Sequence, residues 1–156
     1  MKFTPAAETQ YPAIASLVTS PEELYLVCPN CQFPWDVAQI KETAAGRHAL
    51  TVGIVDNRVV AFANLYDLIP QQSAFIGNVV VAAEYRGRGL GTALIYWMID
   101  ICKDRYQAVP HISVFNDNAR ALLLYAALGF VPYAVEPRLN WNNDTVALIH
   151  LKHAVE

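Results

Sequence analysis

One segment of the chain gathers the residue types needed to hold a multiply charged anion: Arg86-Gly87-Arg88-Gly89-Leu90-Gly91-Thr92. Glycines let the main chain approach a ligand closely, and successive N–H groups at the start of a helix make a cradle for a phosphate or pyrophosphate. Arg86 and Arg88 add positive charge beside it. A tight strand-to-helix turn would use the glycines for geometry alone, but three at alternate positions with two arginines exceed what a turn requires. Spacing removes two phosphate-binding loops. The Walker pattern needs a lysine after its last glycine, and none follows. The dinucleotide fingerprint fails in both registers, because its sixth position is Thr92 counted from Gly87 and Leu94 counted from Gly89.

The elements around this loop read as strand, loop and helix. AFIGNVVVA before it is a run of β-formers, with Gly77 hinting at a bulge. After it, Leu90, Leu94, Ile95, Met98, Ile99 and Cys102 recur at helical spacing as far as Lys103. A second unit follows: HISVF as a strand, then NARALLLYAAL as a helix from Asn118 to Leu128, stopped by Gly129. Upstream, LTVGIV and RVVAFANLY flank the turn residues Asp56 and Asn57, which predicts a hairpin joined to the strand before the loop. VPYAVEPRL and TVALIHL form a last strand pair around Asn140 to Asp144.

The N-terminal third is mostly helical after a short strand at Met1 to Pro5. A helix is expected from about Thr9 to Val18, a second from the capping signals of Ser20-Pro21-Glu22-Glu23, and a third from Asp36 to about Gly46. No repeat or linker divides the 156 residues, so one domain over 1–156 is expected.

Composition narrows the partners. Apolar residues make up 54% of the chain and charged residues 16%, which suits a folded core. A net charge of −3 with scattered Lys and Arg argues against nucleic acid. No run of about 18 apolar residues is present to span a bilayer, and no signal-like segment opens the chain, so a cytoplasmic protein without membrane attachment is expected. Three cysteines do not make a secreted disulfide framework and are expected to be reduced thiols. Cys28 and Cys31 form a single C-x-x-C, open to a zinc or redox reading, but with no second pair an incidental role is favoured and no metal is expected.

Two motifs resemble one known family. Arg86-Gly87-Arg88-Gly89-Leu90-Gly91 is similar to the GNAT N-acetyltransferase signature [QR]-x-x-G-x-[GA], with Ala83 where proline is common in the strand-to-loop lead. Asn118, Ala121, Leu124, Tyr125, Gly129 and Phe130 resemble the second motif N-x-x-A-x-x-L-Y-x-x-x-G-F. The resemblance covers Val59 to the C-terminus, with the helical third fitting in outline. It implies an α/β (α+β) fold: a mixed, mostly antiparallel sheet of about six to seven strands flanked by about four to five helices. Two strands would splay apart to form the acetyl-coenzyme A cleft.

The resemblance also implies direct acetyl transfer from acetyl-CoA to a primary amine in a ternary complex. The loop 86–92 would bind the pyrophosphate, with Asn118 either capping its helix or reaching the cofactor. Val79, Val80 and Val81 would line the cleft through their main-chain atoms, Val79 or Val80 N–H serving the oxyanion. Tyr125 would be the general acid, a phenol being able to donate to a departing thiolate, with core packing as its competing role. No general base is legible; Glu84, Tyr66 and Asp67 lie near strand ends and are most simply solvated. Trp35, Tyr66 and Asp67 are candidates for the acceptor site, an aromatic and acidic surface suiting an amine with an apolar body. Packing of the helical third competes for Trp35. The acceptor is a small molecule or a peptide, and a second copy of the chain is a candidate partner. A non-catalytic acyl-CoA-binding module is the alternative reading.

Overall fold

The structure is a computed structural model and describes residues 1–154. Its centre is a seven-stranded sheet in the order β1-β2-β3-β4-β5-β7-β6. The strands are β1 (Lys2–Pro5), β2 (His48–Val55), β3 (Arg58–Ile69), β4 (Ser73–Val81), β5 (Val109–Phe115), β6 (Phe130–Leu139) and β7 (Thr145–His153). Every neighbouring pair is antiparallel except β4 and β5, so the mixed, mostly antiparallel sheet expected from the sequence is what forms.

Local chemistry explains the turns. Asp56 and Asn57 both take positive φ, the conformation a two-residue hairpin between right-twisted strands demands and one that Asp and Asn tolerate. Strand β6 carries Pro132 and Pro137, which lack an N–H, and it occupies the sheet edge where that omission is tolerated.

The helices are α1 (Tyr11–Ala15), α2 (Pro21–Val27), α3 (Val37–Gly46), α4 (Leu90–Asp100) and α5 (Ala119–Ala127). Ser20 and Asp36 cap α2 and α3 by accepting from the N–H of Glu23 and Gln39, as the sequence signals predict. The first helix is shorter than expected. A 3-10 turn at Glu8–Gln10 precedes it, and the Ser16 hydroxyl turns back to the Pro12 carbonyl at its end. Leu17 and Val18 are nonetheless buried, so the apolar side chains are placed by packing rather than by helix. Beyond α4 the chain continues as a π-helix over Ile101–Arg105.

Each face of the sheet has its own core. On one side Leu94, Ile95 and Met98 of α4 and Tyr125 of α5 pack on Ala61, Ala63, Ile112 and Val114. On the other, Ile14, Leu24, Trp35 and Ile40 from the helical third pack on Val52, Val60, Phe62 and Val80. Each fully buried Leu, Ile or Met contributes about 1.5–3 kcal/mol. One expectation is corrected here: Cys28 and Cys31 are joined in a disulfide, while Cys102 is the free, buried thiol. The end of α2 brings the two sulfurs together, a proximity that the odd cysteine count does not reveal.

Candidate active site

The parallel pair β4 and β5 holds register only from Ser73↔Val109 to Ile76↔Ile112. Past that point β4 remains with β3, through Phe62↔Val80 and Ala61↔Val81, while β5 remains with β7. The strands therefore fork, and the facing main-chain groups of 77–81 and 113–115 have no ladder partner across the gap. A bulge sits at the branch point. Asn64 pairs with Gly77 and Phe62 with Val80, so two steps on β3 match three on β4. Asn78, within this bulge, takes a φ of +50° and is anchored by its side chain. Its Nδ2 donates to the Val27 carbonyl at 2.8 Å, and its Oδ1 accepts from Asn64 at 2.8 Å.

At the open end of the fork lies the loop 86–92. Gly87 and Gly89 adopt φ of +77° and +79°, where a side chain is strained, and Gly89 is the N-cap of α4 with no side-chain cap. The first α4 N–H groups consequently have no partner within the helix and carry the positive end of its dipole, and Gly89, Gly91 and Thr92 at this end line the cavity at the gap. Arg86 is fixed beside them. Its Nε donates to the Val81 carbonyl at 3.0 Å and its Nη2 to Glu23 Oε2 at 2.8 Å.

A cavity of about 990 Å³ runs from this loop through the fork. Most residues predicted for cofactor binding line it: Val79, Val80, Val81, Arg86, Gly87, Gly89, Gly91, Thr92 and Asn118. Two do not. Leu90 packs against the helical-third core, and the Arg88 guanidinium lies over the Tyr85 ring at 5.2 Å. Asn118 caps α5 by accepting from the Ala121 N–H at 3.3 Å, so capping and cavity lining coexist. Tyr125 reaches the cavity from α5, and burial pushes its phenol well above the usual value, keeping it protonated.

The acceptor candidates divide. Tyr66 lines the cavity. Trp35 does not: it is 4% exposed and packs edge-on to Phe62, the packing role rather than a place in the cleft. Asp67 is exposed at a positive-φ position beside Tyr66 and is not part of the lining. Glu84 pairs with Arg58 at 3.2 Å on the surface.

Several lining residues were invisible to sequence reading. Arg47 stacks over the Tyr66 ring at 4.4 Å and donates to Asn64 Oδ1 at 3.0 Å. Burial lowers its pKa, opposed by Tyr66 and Asp67. Gly77 makes this contact feasible, since a Cβ there would meet Arg47 Nη1 at 2.4 Å and the Tyr66 ring at 2.6 Å. Ser113 lines the cavity from β5, with its Oγ 2.6 Å from His150 Nδ1. Cross-strand register creates these groupings, and no spacing along the chain signals them.

Comparison with known proteins meets this geometry. The family model described as the acetyltransferase (GNAT) family matches residues 12–130, most of the chain and both motifs. The chain belongs to the GNAT acetyltransferase family. Among GNAT relatives it is 30% identical over 98 residues to the [Ribosomal protein bS18]-alanine N-acetyltransferase of Escherichia coli K12, a match spanning 63% of this chain and 65% of that protein, short of two thirds of its length. Solved GNAT structures share the fold. A structure described as a putative phosphinothricin N-acetyltransferase superposes with a TM-score of 0.83 at 17% identity, covering 99% of this chain and 98% of that one. A GNAT family acetyltransferase from Elizabethkingia anophelis with acetyl-CoA bound superposes with a TM-score of 0.71 at 18% identity, over 99% and 97% of the two chains.

Proposed function

We propose that this GNAT protein transfers the acetyl group of acetyl-CoA to a primary amine by direct attack in a ternary complex. The observation that carries the reading is the fork: an unpaired strand edge beside a bulge, opening onto N–H groups with no partner within their helix at one end and a buried, protonated Tyr125 in its wall. The residues suit the cosubstrate. The loop 86–92 offers N–H donors and Arg86 to a pyrophosphate, and the free edge of β4 offers main-chain groups to an amide-bearing arm. Acetyl-CoA, when bound, supplies an activated thioester.

Within the fork, Val79 and Val80 N–H are the donors available to the oxygen on which charge develops. Tyr125 provides the proton for the departing thiolate. The acceptor approaches from the face carrying Tyr66 and Arg47. A protein or peptide α-amine is the first acceptor to test, because the E. coli relative is named for one. We place the reaction in the cytoplasm, where reducing conditions would open the Cys28–Cys31 bridge that the structure shows closed.

The test is thiol release from acetyl-CoA with an alanine-initiated peptide, a lysine peptide and a polyamine. Amine-dependent release with a matching mass increase on one acceptor is expected. Calorimetric acetyl-CoA binding without release from any amine would instead make the chain an acyl-CoA-binding module.

A further inference from the structure

We infer that Ser113, His150 and Glu136 form a relay that draws the proton from the acceptor amine, with Ser113 the member that meets the amine. The inference rests on the acetyl-transfer reading and supplies the base that the sequence does not show. Ser113 is the first β5 residue past the last β4–β5 pair, Ile76↔Ile112, and so stands at the vertex of the fork. Ile112 and Val114 pack in the same core as Tyr125, so alternation along the strand turns Ser113 to the opposite face. The proposed acid and the relay thus approach the fork from opposite sides of the sheet.

The chain of contacts is continuous. Ser113 Oγ lies 2.6 Å from His150 Nδ1, its cross-strand partner on β7. His150 Nε2 lies 2.5 Å from Glu136 Oε2 on β6. Glu136 also accepts from Arg138. A carboxylate only accepts, so the neutral imidazole carries its proton on Nε2 and leaves Nδ1 to accept from the Ser113 hydroxyl. Side-chain exposure rises from 18% at His150 to 42% at Glu136, which gives the proton a way out. Hydrogen bonds from His150 and then Arg138 hold the Glu136 carboxyl below its usual range, keeping it an anion.

The step balances. The Ser113 oxygen takes a proton from the ammonium as its own passes to His150 Nδ1, and the N–H electron pair stays on the amine nitrogen. The imidazolium so formed is held by Glu136 and releases its proton to solvent. Other charged or titratable groups around this line are His111 on β5, Tyr133 and Arg138 on β6, Lys152 on β7, and Tyr66 on β3, whose hydroxyl meets Ser113 and whose ring carries Arg47 above it. Tyr133 holds His111 at 2.9 Å, and neither contacts Ser113 in the hydrogen-bonded chain.

The experiment is a pH profile of kcat and kcat/KM with the amine probes named above, for Ser113→Ala, Ser113→Thr, His150→Gln and Glu136→Gln. Near neutral pH, Ser113→Ala and His150→Gln should lose about 100-fold in kcat, with acetyl-CoA affinity unchanged as the check on folding. The deficit should close toward about pH 10, where more of the amine is already neutral. Ser113→Thr, which keeps a hydroxyl, should recover most of the rate, and Glu136→Gln should lose about tenfold. A wild-type protein that acetylates a probe while His150→Gln keeps its neutral-pH rate overturns the relay alone. A pH-independent loss in His150→Gln also overturns it, since a structural role would act so. A wild-type protein that acetylates no probe overturns the transfer reading and the relay with it.

Discussion

Arg86 donates from Nη2 to Glu23 Oε2 at 2.8 Å, across 63 positions of sequence, tying the glycine-rich loop to the second helix. The pair is partly shielded, with side-chain exposures of 34% and 17%. Arg86 is thereby held at the mouth of the fork instead of sampling solvent. Replacing it by alanine should weaken acetyl-CoA binding about tenfold, the size of one charge-assisted contact, with little change in Tm. Calorimetry reads this directly, and an unchanged Kd would remove Arg86 from the pyrophosphate site.

Gly89→Val should reduce acetyl-CoA affinity by at least roughly 100-fold while the protein remains folded by circular dichroism. A β-branched residue at a φ of +79° stores about 1–3 kcal/mol of strain and turns the loop N–H groups away. Gly91→Val separates strain from obstruction, because Gly91 has an ordinary helical backbone and its Cβ would meet only Leu124 at 3.7 Å. It lines the cavity, so lost affinity there would be obstruction alone.

Tyr125→Phe should lower kcat by about 100-fold or more with KM for acetyl-CoA nearly unchanged, if the phenol is the acid. Burial raises the Tyr125 pKa, so its proton is retained at neutral pH and is lost only above the ordinary phenol range. Any alkaline fall in rate that begins below that range must come from another group. Rates for Tyr125→Phe equal to wild type would leave packing as its sole role.

Gly77→Ala should cost about 1–3 kcal/mol of stability and raise KM for the acceptor more than for acetyl-CoA. The new methyl would collide with Arg47 and the Tyr66 ring, on the face proposed above for the acceptor. Denaturant melts combined with KM values for both substrates test this. Equal changes in both KM values would mean that the Arg47–Tyr66 pair does not shape the acceptor site.

Thiol titration should find no reactive cysteine in the native oxidised protein. Cys28 and Cys31 are bridged, and Cys102 is buried with its pKa pushed up to about 12 by desolvation. Denaturation should expose one thiol, and reduction with denaturation all three. Additional thiols before reduction would show that the bridge is absent in solution.

The sequence by itself determined the order of the elements and the backbone of the glycine-rich loop. Both are written in short-range chemistry: turn residues at Asp56 and Asn57, caps at Ser20 and Asp36, glycines at 87 and 89 where φ is positive, and apolar spacing along α4. Such signals act over a few residues, so they survive reading without a fold. Trp35 shows the limit of that reading, because its position in an aromatic loop suggested a surface and packing against Phe62 buried it. Only the tertiary structure decided where β4 and β5 part, and with that the bulge at Asn78, the Arg47–Tyr66 stack and the Ser113–His150–Glu136 line. These depend on cross-strand register. A one-residue slip would turn each side chain to the other face of the sheet, and register is set by the packing of both cores together.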